Sequence, residues 1–321
     1  MHPIAAALDT FDIGMPVVAG NLAMFPLLLP GEDAPGFLML DEALTAGQAF
    51  VTEVSEAGSV PELLLKNLAP SPVLVLDGEE LVGAKQNRIV NLTILVAAKQ
   101  TLHVPVSCVE AGRWAARSRE FSAAGRAHFA SGRAQKLEAV SLAMSECGSR
   151  EADQGEVWDA IEEKSQRMGA ASPTRAAAAM YERSREALEE FVERLEPLPR
   201  QAGAIFAING TVAGMDVFDS AATWRKSMRT LVRSYGLDAL DRGDEAAVTT
   251  AQPARFLEAL KRAAIERFPA IGLGEDLRIT GRSVAGGGLM VDGRLVHLVA
   301  FPKAKRARIG RRARVAGFLV E

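Results

Sequence analysis

The chain has 321 residues, of which 48% are hydrophobic and 24% are charged. This is the composition of a globular protein with one large core or two domains, and a third compact domain is not expected. The net charge of −3 is unevenly spread: residues 1–110 carry 13 acidic and 4 basic side chains, residues 111–301 carry 26 of each, and residues 302–321 carry 7 basic and 1 acidic.

The hydropathy pattern of the chain indicates neither a secretory signal nor a membrane-spanning segment. The first residues carry Asp9 and Asp12 but no basic side chain before their apolar positions, unlike a secretory signal. The longest apolar run, 22–29, contains Pro26 and is too short to cross a bilayer. The two cysteines are far apart and form no CxxC motif, which is typical of a reducing compartment. We therefore expect a cytoplasmic protein that does not associate with membranes.

The first 110 residues predict short strands separated by Gly and Pro. The predicted strands are 22–29, 37–40, 49–54, 62–67, 73–76, 88–96 and 102–109. Strands this short and this closely spaced favour antiparallel pairing. Pro105 cannot donate to a strand ladder, so its strand is expected at a sheet edge or with Pro105 facing outward.

Residues 115–200 are rich in Ala, Glu and Arg and predict a helical insert. Helices are expected at about 133–146, 154–168 and 174–195. Ser172 and Pro173 are typical of an N-cap and a first helical residue, so they predict the start of the last helix.

The remaining residues predict two hairpins with helices between them. Asn209-Gly210 and Asp292-Gly293 each supply the two positive φ angles of a type I′ turn. Helices are expected from Asp219-Ser220 to about Tyr235 and at about 253–266. The fold class is therefore α+β, with mainly antiparallel sheets. We expect a single domain over residues 1–301, strand-rich at 10–110, helical at 115–200 and mixed at 203–301, followed by a basic tail at 302–321.

The predicted strands 88–96 and 102–109 have apolar residues at their even positions, so pairing them fixes the parity of the register. A five-residue loop would pair Arg88 with Glu110, and a three-residue loop would pair Arg88 with Cys108. In both registers Arg88 and Glu110 lie at the same end of the pair, on the side that faces the core. Burying an unpaired charge costs several kcal/mol, so these side chains need partners or water.

Two interpretations of this polar strand end remain open. In the first, it forms a pocket for a ligand; in the second, a structural ion pair closes the core and solvated turn residues surround it. The candidate residues of the pocket are Glu79, Glu80, Lys85, Gln86, Asn87, Arg88, Cys108, Glu110, Arg113 and Trp114. Asp216, which follows an apolar strand and has no evident capping role, is a further candidate.

Six motifs resemble one known family. They are LDGEELVGAKQNRIVN (76–91), VPVSCVEAGRW (104–114), QGEVWDAI (154–161), SPT (172–174), INGTVAGMDVFDS (208–220) and SYGLDAL (234–240). Together they resemble the bacterial family of the ARG and rhodanese-phosphatase-superfamily-associated protein domain, from about residue 10 to 301. The association with ADP-ribosylglycohydrolases and with rhodanese or phosphatase domains implies a ligand derived from a nucleotide or carrying phosphate.

We therefore predict a protein that binds, and in one version processes, a phosphorylated or ADP-ribose-like small molecule. Lys85, Arg88 and Arg113 would hold anionic groups, and Glu110 or Glu80 would act as the general base. Gln86 and Asn87 would orient the ligand. The alternative is a non-catalytic sensor or adaptor whose polar cluster is structural and whose helical insert meets a protein partner.

Other features carry less information. Cys108 is interpreted as a buried, inert thiol rather than a nucleophile, since His103 lies on the opposite face of its strand. The histidines show no zinc spacing, and no cofactor is identified. The basic residues between Arg113 and Lys136 are interpreted mostly as a flexible connector, although Ser131-Gly132-Arg133 could open a helix that binds an anion. The tail lacks the aromatic residues that stack on bases, so nucleic acid is not expected as a partner.

Overall fold

The computed structural model describes residues 3–31, 36–55, 58–59, 61–115, 117–243 and 251–303. The basic tail lies outside the described residues from position 304 onwards. Within the described part, helices combine with mostly antiparallel sheets, which confirms the α+β class. No helix of that part is long and apolar enough to span a bilayer.

In chain order the elements are α1 (Pro3–Leu8), β1 (Asp12–Ile13), β2 (Val17–Ala19), β3 (Leu22–Leu28), β4 (Leu38–Met39), α2 (Leu40–Thr45), β5 (Ala49–Glu53), β6 (Glu62–Asn67), β7 (Val73–Val75), β8 (Glu79–Gly83), β9 (Arg88–Val90), β10 (Ile94–Val96), β11 (Thr101–Cys108), β12 (Phe121–Ala127), α3 (Ala130–Cys147), α4 (Gln154–Arg167), α5 (Ala178–Arg183), α6 (Arg185–Arg194), β13 (Gln201–Ile208), β14 (Thr211–Phe218), α7 (Ala221–Arg242), α8 (Ala251–Lys261), β15 (Ala264–Pro269), β16 (Glu275–Thr280), β17 (Val284–Val291) and β18 (Arg294–Pro302).

Six strands of the N-terminal part form a small barrel. Their order is β12-β8-β9-β11-β6-β5, and every neighbouring pair is antiparallel. A bridge between Thr52 and Glu120 joins the two edge strands and closes the barrel. Because strand side chains alternate between faces, apolar residues such as Leu81, Val90 and Val106 fill the interior. Strands β10, β7 and β4 form a separate three-stranded sheet beside it.

The C-terminal strands and the first three strands form a nine-stranded sheet that is covered on both faces. Its order is β1-β3-β13-β14-β18-β17-β16-β15, with β2 also paired to β3. Strand β13 alternates between the two cores: Phe206 packs with Tyr235 of α7 on one face, and Ile205 packs with Leu260 of α8 on the other. This alternation is why every residue of β13 is buried.

Both predicted hairpins and one predicted cap are present. The turn residues Asn209, Gly210, Asp292 and Gly293 all have positive φ, between 49° and 78°. Ser220 caps α7 by accepting a hydrogen bond from the backbone N–H of Thr223 at 3.1 Å. The helix then continues past Tyr235 to Arg242.

The predicted strand 88–96 is two strands in two different sheets. Asn91 and Thr93 leave the ladder because their side chains are bonded elsewhere: Asn91 accepts from the Ser107 hydroxyl at 2.8 Å, and Thr93 bonds His297 Nδ1 at 2.7 Å. The ladder between β9 and β11 pairs Arg88 with Cys108, the register of the shorter loop. The register that pairs Arg88 with Glu110 is wrong.

The position of Pro105 has a physical reason. Strand β11 pairs with β6 up to Pro105 and with β9 from Val106 onwards, so β11 is not an edge strand. Pro105, which has no backbone N–H to donate, therefore lies where β11 changes partner from β6 to β9. Pro105 is two residues from His103 and faces outward like it, which is the second of the two arrangements expected for this strand.

The helical part also differs from its prediction. Strand β12 lies inside the range 115–200, so the helices begin only at Ala130. The helix expected at 174–195 is split, with α5 starting at Ala178 and α6 at Arg185. The helix expected at 253–266 ends at Lys261, and β15 follows.

Candidate functional site

The candidate site lies at one mouth of the barrel, where three polar side chains follow apolar ones on the inner face. Arg88 is opposite Cys108 of β11 and Leu81 of β8, and Leu81 and Cys108 are both core residues. Glu53 follows Val51 by two residues on β5, so it points to the same interior. The alternation that fills the barrel with apolar side chains thus places Arg88, Cys108 and Glu53 together at its end. We call this region the barrel mouth.

Arg88 is fully buried but only partly bonded. Its Nη1 donates to Oε1 of Gln86 at 2.8 Å. Its Nε and Nη2 have no hydrogen-bond acceptor among the described residues. Burial lowers the pKa of this guanidinium, while the negative charge of Glu53 acts in the opposite direction. A buried cation with two unbonded donors is unfavourable unless another group completes it.

Glu53 also lacks a hydrogen-bond partner, but it lacks a donor where Arg88 lacks acceptors. Its Oε1 accepts from the backbone N–H of Lys85 at 3.3 Å, but its Oε2 is buried and has no donor among the described residues. Sequence reasoning missed this residue because β5 and β9 are not neighbours in the ladder order and only closure of the barrel brings their ends together.

The Trp114 ring contacts both Lys85 and Arg88. The Lys85 ammonium is 5.3 Å from the centroid of the Trp114 ring, and the Arg88 guanidinium is 5.6 Å from it. Both distances are in the range of cation–π contacts. Trp114 is 48% exposed, so one part of its ring faces solvent while another contacts the buried cation.

Cys108 is held rigidly but is not activated. The side-chain amide of Gln154 accepts from the backbone N–H of Cys108 at 2.8 Å and donates to its carbonyl at 2.9 Å. Burial raises the pKa of the Cys108 thiol to about 11, although Arg88 opposes the shift. The thiol is therefore protonated at neutral pH, in agreement with the interpretation of an inert cysteine. Gln154 was not predicted as part of the site, and the motif QGEVWDAI was its only signal.

Glu110 is close to Arg88 along the chain but is already fully bonded. Its Oε2 accepts from Nε of Arg113 at 2.7 Å, and its Oε1 accepts from the Thr174 hydroxyl at 2.8 Å. The backbone N–H of Asn87 adds a longer contact of 3.4 Å. Burial would raise the pKa of Glu110, but the bonds from Arg113 and Thr174 lower it below its ordinary value. Thr174 explains why no helix starts at Ser172: the segment bridges to Glu110 instead.

Arg113 connects the two loops that border the mouth. Its Nη1 donates to the carbonyls of Ala84 at 2.8 Å and Ala115 at 3.0 Å, and its Nη2 donates to Oδ1 of Asn87 at 3.0 Å. Gly112 permits this geometry because a Cβ there would be 2.9 Å from the Cα of Thr174. Gln86, whose Nε2 donates to the Glu110 carbonyl at 2.9 Å, links the same loops.

The family model of the ARG and Rhodanese-Phosphatase-superfamily-associated Protein domain matches residues 10–301. The chain belongs to that family. No curated protein and no solved structure matches the chain. The ARG and Rhodanese-Phosphatase-superfamily-associated Protein domain thus includes the whole barrel mouth and ends before the basic tail.

Two carboxylates that the sequence assigned to the site of this family member lie elsewhere. Glu80 pairs with Ile89, not with Arg88, so it is on the outer face of the barrel, where it accepts two bonds from Arg126 at 2.6 and 2.9 Å. Glu79 accepts from the backbone N–H of Leu76 at 3.1 Å, and burial raises its pKa to about 8. A general base at position 80 would not reach a ligand beside Arg88.

Asp216 also lies outside the barrel mouth, in a buried ion network. It accepts two bonds from Arg133, at 2.6 and 3.2 Å, and one from the Tyr235 hydroxyl at 2.8 Å. Arg133 also donates to Asp77 at 3.2 Å, and Lys136 donates to the same carboxylate at 2.7 Å. Burial would raise the pKa of Asp216, but the charge of Arg133 lowers it.

The interpretation of Arg133 and Lys136 as parts of a flexible connector is therefore wrong. Both side chains are fully buried on α3. The N-terminus of α3 does bind an anion, but that anion belongs to the protein: Asp238 accepts from the backbone N–H of Ser131 at 2.6 Å and from its hydroxyl at 2.9 Å.

Proposed function

We propose that the barrel mouth binds an anionic small molecule that carries phosphate, of the nucleotide or ADP-ribose type. One observation carries the proposal: Arg88 is fully buried and two of its nitrogens, Nε and Nη2, lack acceptors among the described residues. Phosphate and carboxylate oxygens form short charge-assisted bonds with two adjacent guanidinium nitrogens, and a phosphate would complete Arg88 in this way.

The charges around Arg88 support an anion. Lys85, Arg88 and Arg113 contribute three positive charges to the mouth, and Glu53 and Glu110 contribute two negative ones. One negative charge on a ligand would balance the group. The exposed part of the Trp114 ring offers a surface for a base or a sugar. The name of the family, which records an association with rhodanese and phosphatase proteins, agrees with a phosphorylated ligand.

The arrangement favours binding over processing. Glu110, the predicted general base, is a weak base, because its bonds from Arg113 and Thr174 lower its pKa. Burial keeps Cys108 protonated at neutral pH, and no side-chain base bonds its sulfur among the described residues. In this proposal Arg88 holds the anion, whereas Arg113, Asn87 and Gln86 position the loops.

The alternative, a structural cluster that binds no ligand, explains the loop residues of the barrel mouth well. Glu110, Arg113 and Asn87 bond one another and need no further partner. It does not explain Arg88, which contributes a buried charge without the bonds that would make it stabilising.

Thermal-shift and calorimetric titration with ADP-ribose, ADP and ribose 5-phosphate will test the proposal. We expect at least one of these compounds to raise the melting temperature of the wild type but not that of Arg88→Met. The matched control is Arg117→Met, since the Arg117 side chain is 65% exposed near the same loops, and it should bind like the wild type. Equal binding by the wild type and Arg88→Met, or no binding by the wild type, would refute the proposal.

A further inference from the structure

The barrel mouth contains an unbonded acceptor as well as unbonded donors. Oε2 of Glu53 is buried and has no donor, while Nε and Nη2 of Arg88 have no acceptor, within the described part of the chain. The two charges act on each other electrostatically, yet no hydrogen bond joins them. Whatever completes the mouth must therefore accept from Arg88 and donate to Glu53.

We infer that the ligand is a phosphorylated sugar, in which a hydroxyl group donates to Glu53 while the phosphate accepts from Arg88. This inference rests on the proposed function. The phosphate group of a monoester, in its dianionic form, has no proton to donate. It would complete Arg88, but it would place its charge near the Glu53 carboxylate and leave Oε2 unbonded. A sugar hydroxyl next to the phosphate satisfies the acceptor and separates the two negative charges.

Among the described residues, no donor takes the place of this hydroxyl at Oε2 of Glu53. The backbone N–H of Lys85 already bonds the other oxygen, Oε1, at 3.3 Å. The Cys108 thiol keeps its proton at neutral pH but is only a weak donor. Arg88 interacts with Glu53 through its charge, but its bonded nitrogen, Nη1, is directed to Gln86.

This arrangement makes Glu53 a specificity residue. A site that is built to bond a hydroxyl rejects an analogue that lacks it, because the acceptor is then left unpaired. The wild type should therefore prefer ribose 5-phosphate to methyl phosphate, a monoester without a sugar hydroxyl, and the preference should depend on the charge of Glu53.

Calorimetric titration of the full chain with ribose 5-phosphate and with methyl phosphate gives the two dissociation constants that decide this. The variant Glu53→Gln keeps the shape of the side chain but removes its charge. We expect it to bind ribose 5-phosphate about tenfold more weakly, since a bond to a charged acceptor is replaced by a neutral one. Methyl phosphate should bind Glu53→Gln as well as the wild type or better, because the repulsion is removed.

The matched control is Glu120→Gln, which makes the same change on an exposed carboxylate whose backbone bridges to β5. It should leave both dissociation constants within about twofold of the wild type, well below the tenfold effect of one charged bond. The Arg88→Met variant should lose both compounds.

The outcomes separate the two proposals. If Glu53→Gln weakens both compounds equally or neither, the sugar phosphate inference is refuted, while Arg88-dependent binding of phosphate would still support the anion site. If the wild type binds neither compound, or Arg88→Met binds both, the anion site and the inference fall together. A melting curve of each variant distinguishes loss of binding from loss of the fold.

Discussion

Among the described residues, Arg88 and Arg133 are completely buried, and they are bonded in opposite ways. Arg133 uses all three guanidinium nitrogens: Nε bonds Asp77, and Nη1 and Nη2 bond Asp216. Arg88 uses one nitrogen, which bonds Gln86, and leaves two without partners in the described part. Burial alone therefore does not distinguish a structural arginine from a binding residue.

The two arginines differ in whether neighbouring residues offset the free-energy cost of burying the charge. Around Arg133 the protein provides two carboxylates, and the charge of Asp216 raises the pKa of the guanidinium although burial opposes it. Around Arg88 the net effect is the reverse, because burial lowers its pKa. A network that is fully satisfied rigidifies a core, whereas an incomplete one lowers stability and leaves bonding capacity for a ligand.

The largest effect should come from Arg133→Met. Removing this side chain leaves Asp77 and Asp216 buried with too few positive charges, which costs about 3–5 kcal/mol of unfolding free energy. Denaturant titration at pH 7 measures the loss. Arg229→Met, at a side chain that is 60% exposed and pairs with Glu189, is the control and should cost at most about 1 kcal/mol. A loss at Arg133 no larger than at Arg229 would show that the network is not structural.

Glu79 shows a third way to bury a charge, which is to neutralise it. Burial raises its pKa from the ordinary 4.5 to about 8, so the folded protein holds a proton that the unfolded chain releases. Stability from this group is complete below about pH 4.5 and is lost as the pH rises to about 8. The full loss should be about 5 kcal/mol, of which about 3 kcal/mol is reached by pH 7, because each unit of pKa difference corresponds to about 1.4 kcal/mol.

The Glu79→Gln variant should remove this pH dependence, because its amide cannot ionise but can still accept from Leu76. Denaturant titrations at pH 5, 7 and 9 should show the variant gaining on the wild type as the pH rises. Glu120→Gln, at an exposed carboxylate, is the control. Parallel curves for wild type and Glu79→Gln would mean that Glu79 is ionised in the folded protein.

Local features of the sequence predicted a large part of the fold. The Asn-Gly and Asp-Gly turns located both hairpins, because few dipeptides adopt two positive φ angles. The alternation of apolar residues placed Arg88 and Cys108 on one inner face and offered the correct register as one of two alternatives. The family resemblance, confirmed over residues 10–301, identified the same stretch.

Contacts between distant segments could not be predicted in this way. Glu53, Gln154 and Thr174 lie 32 to 64 positions from the residues that they bond at the barrel mouth. Glu53 reaches the mouth only because the barrel closes. Arg133 was misinterpreted because a basic residue in a helix has the same local pattern whether it faces solvent or a carboxylate 83 positions away. Single-sequence patterns report which face a side chain lies on and not what it meets there.

The Arg88→Met variant sharpens the comparison of the two arginines directly. Replacing an incompletely bonded buried cation by an apolar side chain of similar length should raise the unfolding free energy, by about 1 kcal/mol. The same denaturant titration that shows Arg133→Met to be destabilised should thus show Arg88→Met to be unchanged or stabilised. A loss of stability similar to that of Arg133→Met would make Arg88 a structural residue and remove the main support for the binding site.

The smallest effect is expected from Thr174→Val, which removes one of the bonds that keep Glu110 ionised. The variant should lose about 0.5–1.5 kcal/mol at pH 7, the usual contribution of one hydrogen bond. Because that bond favours the charged form, it lowers the pKa of Glu110, and its stabilisation is present above the ordinary pKa of 4.5 and lost as the pH falls through the lower, folded value. The difference between Thr174→Val and the wild type should therefore shrink in acid.

Ser172→Ala is the matched control. The Ser172 hydroxyl accepts from the backbone N–H of Ala176 on the same turn and bonds no carboxylate in the described part, so the stability cost of this variant should not change with pH. Equal pH dependence in both variants would mean that the turn, and not the bond to Glu110, is responsible.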